Sequence, residues 1–216
     1  MEVEIWSDIA CPFCYIGKKR FYSALMDFSH RPSVNVTWRS FILDPNLETG
    51  TYSTLAEYLI ASKGISPAEA EAMIEYAVNM AASCGLRFNP DKIVVANTKK
   101  AHRLIKLANL HSKDNQAVEH LFKAYFEEGH NIDSDQVLIE IGQRCGIATD
   151  ELEKLLQTRA MEDDVERDLK MAAKLGIRGV PFFLFNRRFA VSGAQSETVF
   201  SHALQKACNE PADTLR

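Results

Sequence analysis

Two cysteines, Cys11 and Cys14, stand two residues apart in the stretch SDIACPFCYIG, residues 7–17. Three chemistries are open to such a pair. A thiol–disulfide exchange centre needs an attacking thiolate and a second thiol within disulfide reach to resolve the mixed disulfide. A structural zinc needs four nitrogen or sulfur ligands, usually as two paired sets. Two buried, unreactive thiols need nothing further. Cys84, Cys145 and Cys208 stand singly, and His102, His111, His120 and His130 are spaced nine or ten residues apart, so no second half of a zinc site is visible. No metal is expected. An odd number of cysteines spread thinly over the chain is also not a disulfide framework.

Position adds weight to the redox reading. EVEIWS, residues 2–7, alternates in polarity and carries Val, Ile and Trp, which predicts a strand. The run from Cys11 to Phe28 has apolar residues at roughly helical spacing, with Pro12 suited to a first turn. Cys11 therefore falls where a strand ends and a helix begins. Free N–H groups and the helix dipole converge there and favour an anion, which lowers a thiol pKa. Cys14 falls one turn inside, more buried and less reactive.

Other side chains are candidates for the same site. Asp8 could accept a proton or anchor the loop. Phe13 could give a substrate an apolar contact or cover the rim, and Tyr15 reads as core packing. The second segment of interest is GVPFFLF, with Val180 and Pro181 immediately before a strand-like run. If that strand lies antiparallel to the first, its start faces the end of the first strand, where Cys11 sits. Pro181 either opens an edge strand in trans, or forms a cis turn that leaves the Val180 backbone able to bind an extended substrate. His102 sits on a helix that could line a cleft, although a solvated or capped histidine is the simpler expectation.

The elements that must position these residues follow from pattern. SVNVTWRSF, residues 33–41, alternates again and completes strand–helix–strand, hence a parallel pair. From about Tyr52 to Leu175 nearly everything reads as helix. Ser66, Pro67 and Glu69 make a capping box, 114–129 reads as a single helix ended by Gly129, and 162–176 starts acidic and ends at Lys174 and Gly176. NTKKAHRLIKLANLHSK, residues 97–113, is expected to be a helix with a solvated basic face. FFLF and RFAV around NRR signal a hairpin, 196–209 closes as a helix, and EPADTLR is expected to fray. An α/β fold results, with a sheet domain from 1–48 and 177–216 and an all-helical insertion over 49–176.

The chain has 216 residues, 46% hydrophobic and 25% charged, with a net charge of −4, which suits one globular unit with a sizeable core. No basic excess points to nucleic acid. No apolar run reaches membrane-spanning length, and MEVEIW lacks the basic start and apolar stretch of a secretory signal, so a cytoplasmic protein is expected.

SDIACPFCYIGKKRF near the start and GIRGVPFFLFNRRFAVSGAQ near the end, with helices between, resemble the DsbA-like thioredoxin-fold oxidoreductases, and most closely their FrnE-like branch. NTKKAHRLIKLA also resembles a helix of that group. The resemblance spans the chain. It implies a thioredoxin-like fold with a helical insertion and dithiol–disulfide exchange with protein or small-molecule thiols and disulfides. Cys11 matches the nucleophile, Cys14 the resolving thiol and Pro181 the cis-proline. It implies no tightly bound cofactor, with glutathione as a candidate co-substrate. Some FrnE proteins carry a further downstream cysteine pair, which this chain lacks. Kappa-class glutathione transferases and hydroxychromene-carboxylate isomerases share the architecture with serine at the reactive position, so a glutathione-dependent isomerase or transferase acting on a small aromatic substrate is the alternative. Cys11 favours redox chemistry.

Overall fold

Alternating β-branched and aromatic residues make the first element a strand, β1 (Glu2–Ser7). It leads into α1 (Pro12–Met26) and then β2 (Asn35–Ser40). The computed structural model describes residues 1–209, and a run of helices comes next. These are α2 (Leu55–Lys63), α3 (Pro67–Ala82), α4 (Lys99–Leu110), α5 (Asp114–Lys123), α6 (Asp135–Arg144), α7 (Thr149–Gln157) and α8 (Glu162–Lys174). The chain then returns to strands β3 (Phe182–Phe185) and β4 (Phe189–Ser192), and ends in α9 (Glu197–Asn209). The run EPADTLR lies outside the described residues.

The strand order is β2-β1-β3-β4. β1 and β2 run parallel, joined by α1, while β3 is antiparallel to both β1 and β4. This is a thioredoxin-like fold carrying a large helical insertion. Side chains alternate across the sheet as the pleat requires. Val3 and Ile5 of β1 pair with Phe185 and Phe183 of β3, and all four are fully buried. Phe21 of α1 and Phe200 of α9 close on Phe183, with ring centroids 5.4 and 4.7 Å away. On the opposite face Trp6 meets Phe182 edge-on at 6.3 Å and packs with Ala172 of α8 and Ile177. Each such aromatic pair adds about 0.5–1.5 kcal/mol beyond area burial. The hairpin turn needs left-handed backbone at Asn186 (φ 49°) and Arg187 (φ 56°). Asparagine tolerates it, and its amide donates to the Ala207 carbonyl at 2.9 Å.

The last inserted helix, α8, covers the second face of the sheet and does so through Asp168. This buried carboxylate accepts from Arg39 at 3.1 Å, from the Ser40 amide at 2.8 Å and from Lys106 of α4. Trp6 Nε1 donates to the Asp168 carbonyl at 3.3 Å. Lys106 is thus sunk into the junction between α4, α8 and the sheet. Burial pulls its amine below the usual lysine range, against the opposing pull of Asp168. The expected solvated basic face of α4 is therefore corrected. The helix is packed on several sides, so while Lys99 stays exposed, Lys106 is drawn inward to a carboxylate. Arg103 likewise donates to the carbonyls of Ala160 at 2.7 Å and Thr158 at 2.5 Å.

Two outcomes are expected. Asp168→Ala leaves Lys106 buried without its counter-charge and should lower unfolding free energy by about 3–5 kcal/mol in urea titrations. A loss under 1 kcal/mol would show that the helices are held to the sheet by other contacts. The second concerns Glu4, whose burial raises its carboxyl while hydrogen bonds from Arg187 and Arg39 prevail and hold it below its ordinary value. A carboxyl depressed in the folded state contributes stability that is complete above its unfolded pKa, about 4.3, and is lost as pH falls through the lower folded value. Glu4→Gln should therefore flatten part of the acid limb of a stability–pH curve and leave its slope above pH ~5 unchanged.

Candidate active site

Cys11 is the residue on which the strand becomes the helix. Its backbone is extended (φ −91°, ψ 112°), its amide donates to the Asp8 carbonyl at 3.1 Å, and its carbonyl accepts from Cys14 at 3.0 Å. No side chain caps this end of α1, and Pro12 occupies the first turn. The N–H groups that a helix leaves unsatisfied at its start therefore converge beside the Cys11 sulfur. Cys14 is 1% exposed and lies behind it. Burial, then hydrogen bonding and charge from the Cys11 sulfur, push the Cys14 thiol well up. Ser7 Oγ is near enough to temper that rise, although it makes no hydrogen bond of ordinary geometry. The two thiols thus have separate environments, one opening on a cavity and one enclosed.

The facing wall comes from β3. Antiparallel pairing sets Phe182 opposite Trp6, so residues 180 and 181 meet the loop that ends β1. The Val180–Pro181 peptide is cis, and Cys11 Sγ donates to the Val180 carbonyl at 3.6 Å. Gly17 makes the approach possible. A Cβ there would stand 2.9 Å from Pro181 Cγ and 3.4 Å from Phe183 Cζ, and a proline ring cannot swing aside. Nothing in the sequence pattern singled out Gly17, although a glycine inside a helical run is a general sign of close approach by a neighbour.

Asp8 and His102 meet beneath the loop. Asp8 is 1% exposed and His102 2%. Asp8 Oδ2 accepts from the Leu43 amide at 2.7 Å, Oδ1 accepts from the Ala10 amide at 3.4 Å, and His102 Nε2 lies 3.3 Å from Oδ1. The anchoring geometry is plain, since Asp8 ties the loop before Cys11 to the segment after β2 and to α4. His102 is not among the residues that line the cavity over Cys11; of the two simpler expectations, it is the capped histidine rather than the solvated one, held by Asp8. It lies on the inward face of α4 with Ala101, Ile105 and Ala108, and can be buried there because Asp8 supplies a polar partner.

Tyr15 does pack in the core, stacked on Phe122 at 4.9 Å. Its hydroxyl also donates to Glu119 at 3.1 Å, and Glu119 pairs with the buried Lys18, joining α1 to α5. Burial and the neighbouring carboxylates push the Tyr15 phenol far up, so it remains a neutral donor.

A cavity of about 630 Å³ opens over Cys11, between the sheet domain and the inserted helices. Asp8, Cys11, Phe13 and Val180 form one side. Phe13 reaches across the rim to Tyr76 of α3, with ring centroids 6.1 Å apart. Tyr125 and Phe126 close another side. They sit on a π-helical turn, Ala124–Glu128, where a continuous helix to Gly129 was expected. That wider turn rotates two consecutive aromatics towards the cavity, and its signal in the sequence is only the apolar run itself. Among the described residues, no three His, Cys, Asp or Glu side chains gather as a metal site, and no helix is long and apolar enough to cross a membrane.

A CxxC pair at a strand-to-helix junction, faced by a cis-proline and roofed by inserted helices, defines a thioredoxin-fold protein of the DsbA kind. Residues 2–205 match the DsbA-like thioredoxin domain, and the chain belongs to that family. It is similar to the probable DsbA oxidoreductase SCO1869 from Streptomyces coelicolor, at 37% identity over 98% of this chain and 91% of that one, with a TM-score of 0.91. Two further structures share the fold. A 2-hydroxychromene-2-carboxylate isomerase is 16% identical over the whole of both chains, with a TM-score of 0.71. The cytosolic disulfide reductase DsbM from Pseudomonas aeruginosa is 16% identical over 98% of this chain and 100% of its own, with a TM-score of 0.68. DsbM is also known in complex with GSH.

Gly17→Ala tests the close approach. Helix propensity alone favours alanine by about 1 kcal/mol, so any net loss of stability reports the clash with Pro181. The expected result is a net loss of about 1–3 kcal/mol by chemical denaturation. A stabilised variant would show that the proline loop has room to move.

Proposed function

We propose that this protein is a thiol–disulfide oxidoreductase of the FrnE-like branch, in which Cys11 attacks and Cys14 resolves. The observation that carries the reading is the Cys11 sulfur at an uncapped helix start, 3.6 Å from the carbonyl that precedes cis-Pro181, with Cys14 enclosed behind it. As thiolate, Cys11 displaces one sulfur of a substrate disulfide and leaves as a mixed disulfide. Cys14 then gives up its proton, taken up by the thiolate released in the first step, and attacks Cys11 Sγ, which expels the second substrate thiolate. The enzyme finishes as the Cys11–Cys14 disulfide, and the substrate has gained two electrons. The reverse sequence oxidises a dithiol, and relative reduction potentials decide the direction.

The supporting parts have distinct roles. Burial keeps Cys14 protonated until the mixed disulfide has formed. Val180 presents a carbonyl and Phe13 an apolar edge to whatever is bound at Cys11. Asp8 holds the loop in place from below. A reducing compartment such as the cytoplasm suits this reading, because five cysteines spread thinly over the chain make no disulfide framework.

Cys11→Ser should reduce exchange to the uncatalysed background. Cys14→Ser should complete only the first step and accumulate one equivalent of mixed disulfide, visible as a mass increase that dithiothreitol reverses. An isomerase or transferase on the same fold tolerates serine at position 11, so catalysis retained by Cys11→Ser would transfer the assignment to that chemistry.

A further inference from the structure

Resting on the exchange chemistry proposed above, we infer that the small-molecule thiols and disulfides this site accepts are uncharged and largely apolar, and that the cavity discriminates against glutathione. At about 630 Å³ the cavity has the size of a small-molecule site. Its walls are aliphatic and aromatic, with Leu47, Leu59, Met73, Ile74, Val95 and Phe126 among them.

Charge decides the class. Among the described residues, the charged side chains lining the cavity are Asp8, Asp44 and Lys63, and no arginine or histidine joins them. Asp8 faces inward fully buried, and Asp44 accepts the Tyr58 hydroxyl at 3.4 Å. Lys63 is exposed, in the last turn of α2. Glutathione brings two carboxylates against one ammonium, and its disulfide four against two. Out of water each carboxylate requires a cation or a set of N–H donors. Here they would meet apolar walls and the Asp44 carboxylate, while Asp8 lies buried against His102.

What the cavity does offer is neutral hydrogen bonding. Tyr125 is 3% exposed and its hydroxyl has no hydrogen-bond partner among the described residues. Burial pushes its phenol up, so it stays a neutral donor. Thr98, buried at the start of α4, caps nothing with its side chain and also lines the space. These two hydroxyls match a carbonyl or ring nitrogen on an otherwise apolar body.

The test compares disulfides of one chemical type that differ in charge. Reduced protein is mixed with neutral dithiodipyridine, with dianionic dithiobis(nitrobenzoate), or with glutathione disulfide. In each case the Cys11 thiolate displaces one thiolate from the probe, Cys14 displaces the other, and two released thiols balance the new Cys11–Cys14 disulfide. Rates are divided by those of a free cysteine peptide with the same probe, which removes intrinsic reactivity.

The expected result is a normalised rate for the neutral aromatic probe at least about tenfold above both anionic ones. Leu59→Arg, which places a cation among the cavity walls, should narrow that ratio by raising the anionic rates. Equal normalised rates, or faster reaction with glutathione disulfide, would overturn the inference and leave the exchange chemistry standing. Failure of Cys11 to react with any of the three would overturn both.

Discussion

The antiparallel pairing of β1 with β3 is the constraint on which the rest of the site depends. Trp6 opposite Phe182 fixes the register, and one register fixes everything beyond it. Cys11 follows the end of β1, and Val180 and Pro181 precede the start of β3, so the pairing delivers thiol and proline to the same edge. A slip of one residue would turn every side chain of β3 to the other face. The fully buried phenylalanines Phe183 and Phe185 oppose such a slip, because each would leave the α1–α9 face. Packing of the core and alignment of the site are therefore the same event.

A second layer of constraint comes from polar groups that join the sheet to the insertion. Asp168 takes Arg39, Ser40 and Lys106 together, Asp8 takes Leu43 and His102, and Glu119 takes Lys18 and Tyr15. Each draws an inserted helix onto the sheet domain, and each is costly to leave half made, which favours one arrangement over near alternatives. The result is a roof held at a defined height above Cys11. The cavity is the space left between them, and its apolar walls follow from the helices burying their own faces towards the sheet.

Much of this was legible in the sequence, for identifiable reasons. Alternation gave the strands, the Ser66–Glu69 box and the glycine stops gave helix ends, and NRR gave the hairpin, because each rests on local backbone physics. The meeting of residues 11 and 180 followed from one topological step. Long-range partners were not legible. His102 and Lys106 carry polar side chains on an amphipathic helix, and only the position of Asp8 and Asp168 in space explains their burial. Gly17 was hidden because its reason is a proline ring more than 160 positions away, and the π turn at Tyr125 because one extra residue in a helix leaves no mark in composition.

The proposed chemistry requires Cys11 and Cys14 to form one reversible redox couple. Its most direct test equilibrates the protein in graded mixtures of mercaptoethanol and its disulfide, which carry no charge, then alkylates free thiols and counts them by mass. The expected result is a single two-electron transition, placed between about −120 and −270 mV, in which Cys11 and Cys14 alone are lost to alkylation. Both cysteines remaining alkylatable at every ratio would contradict it.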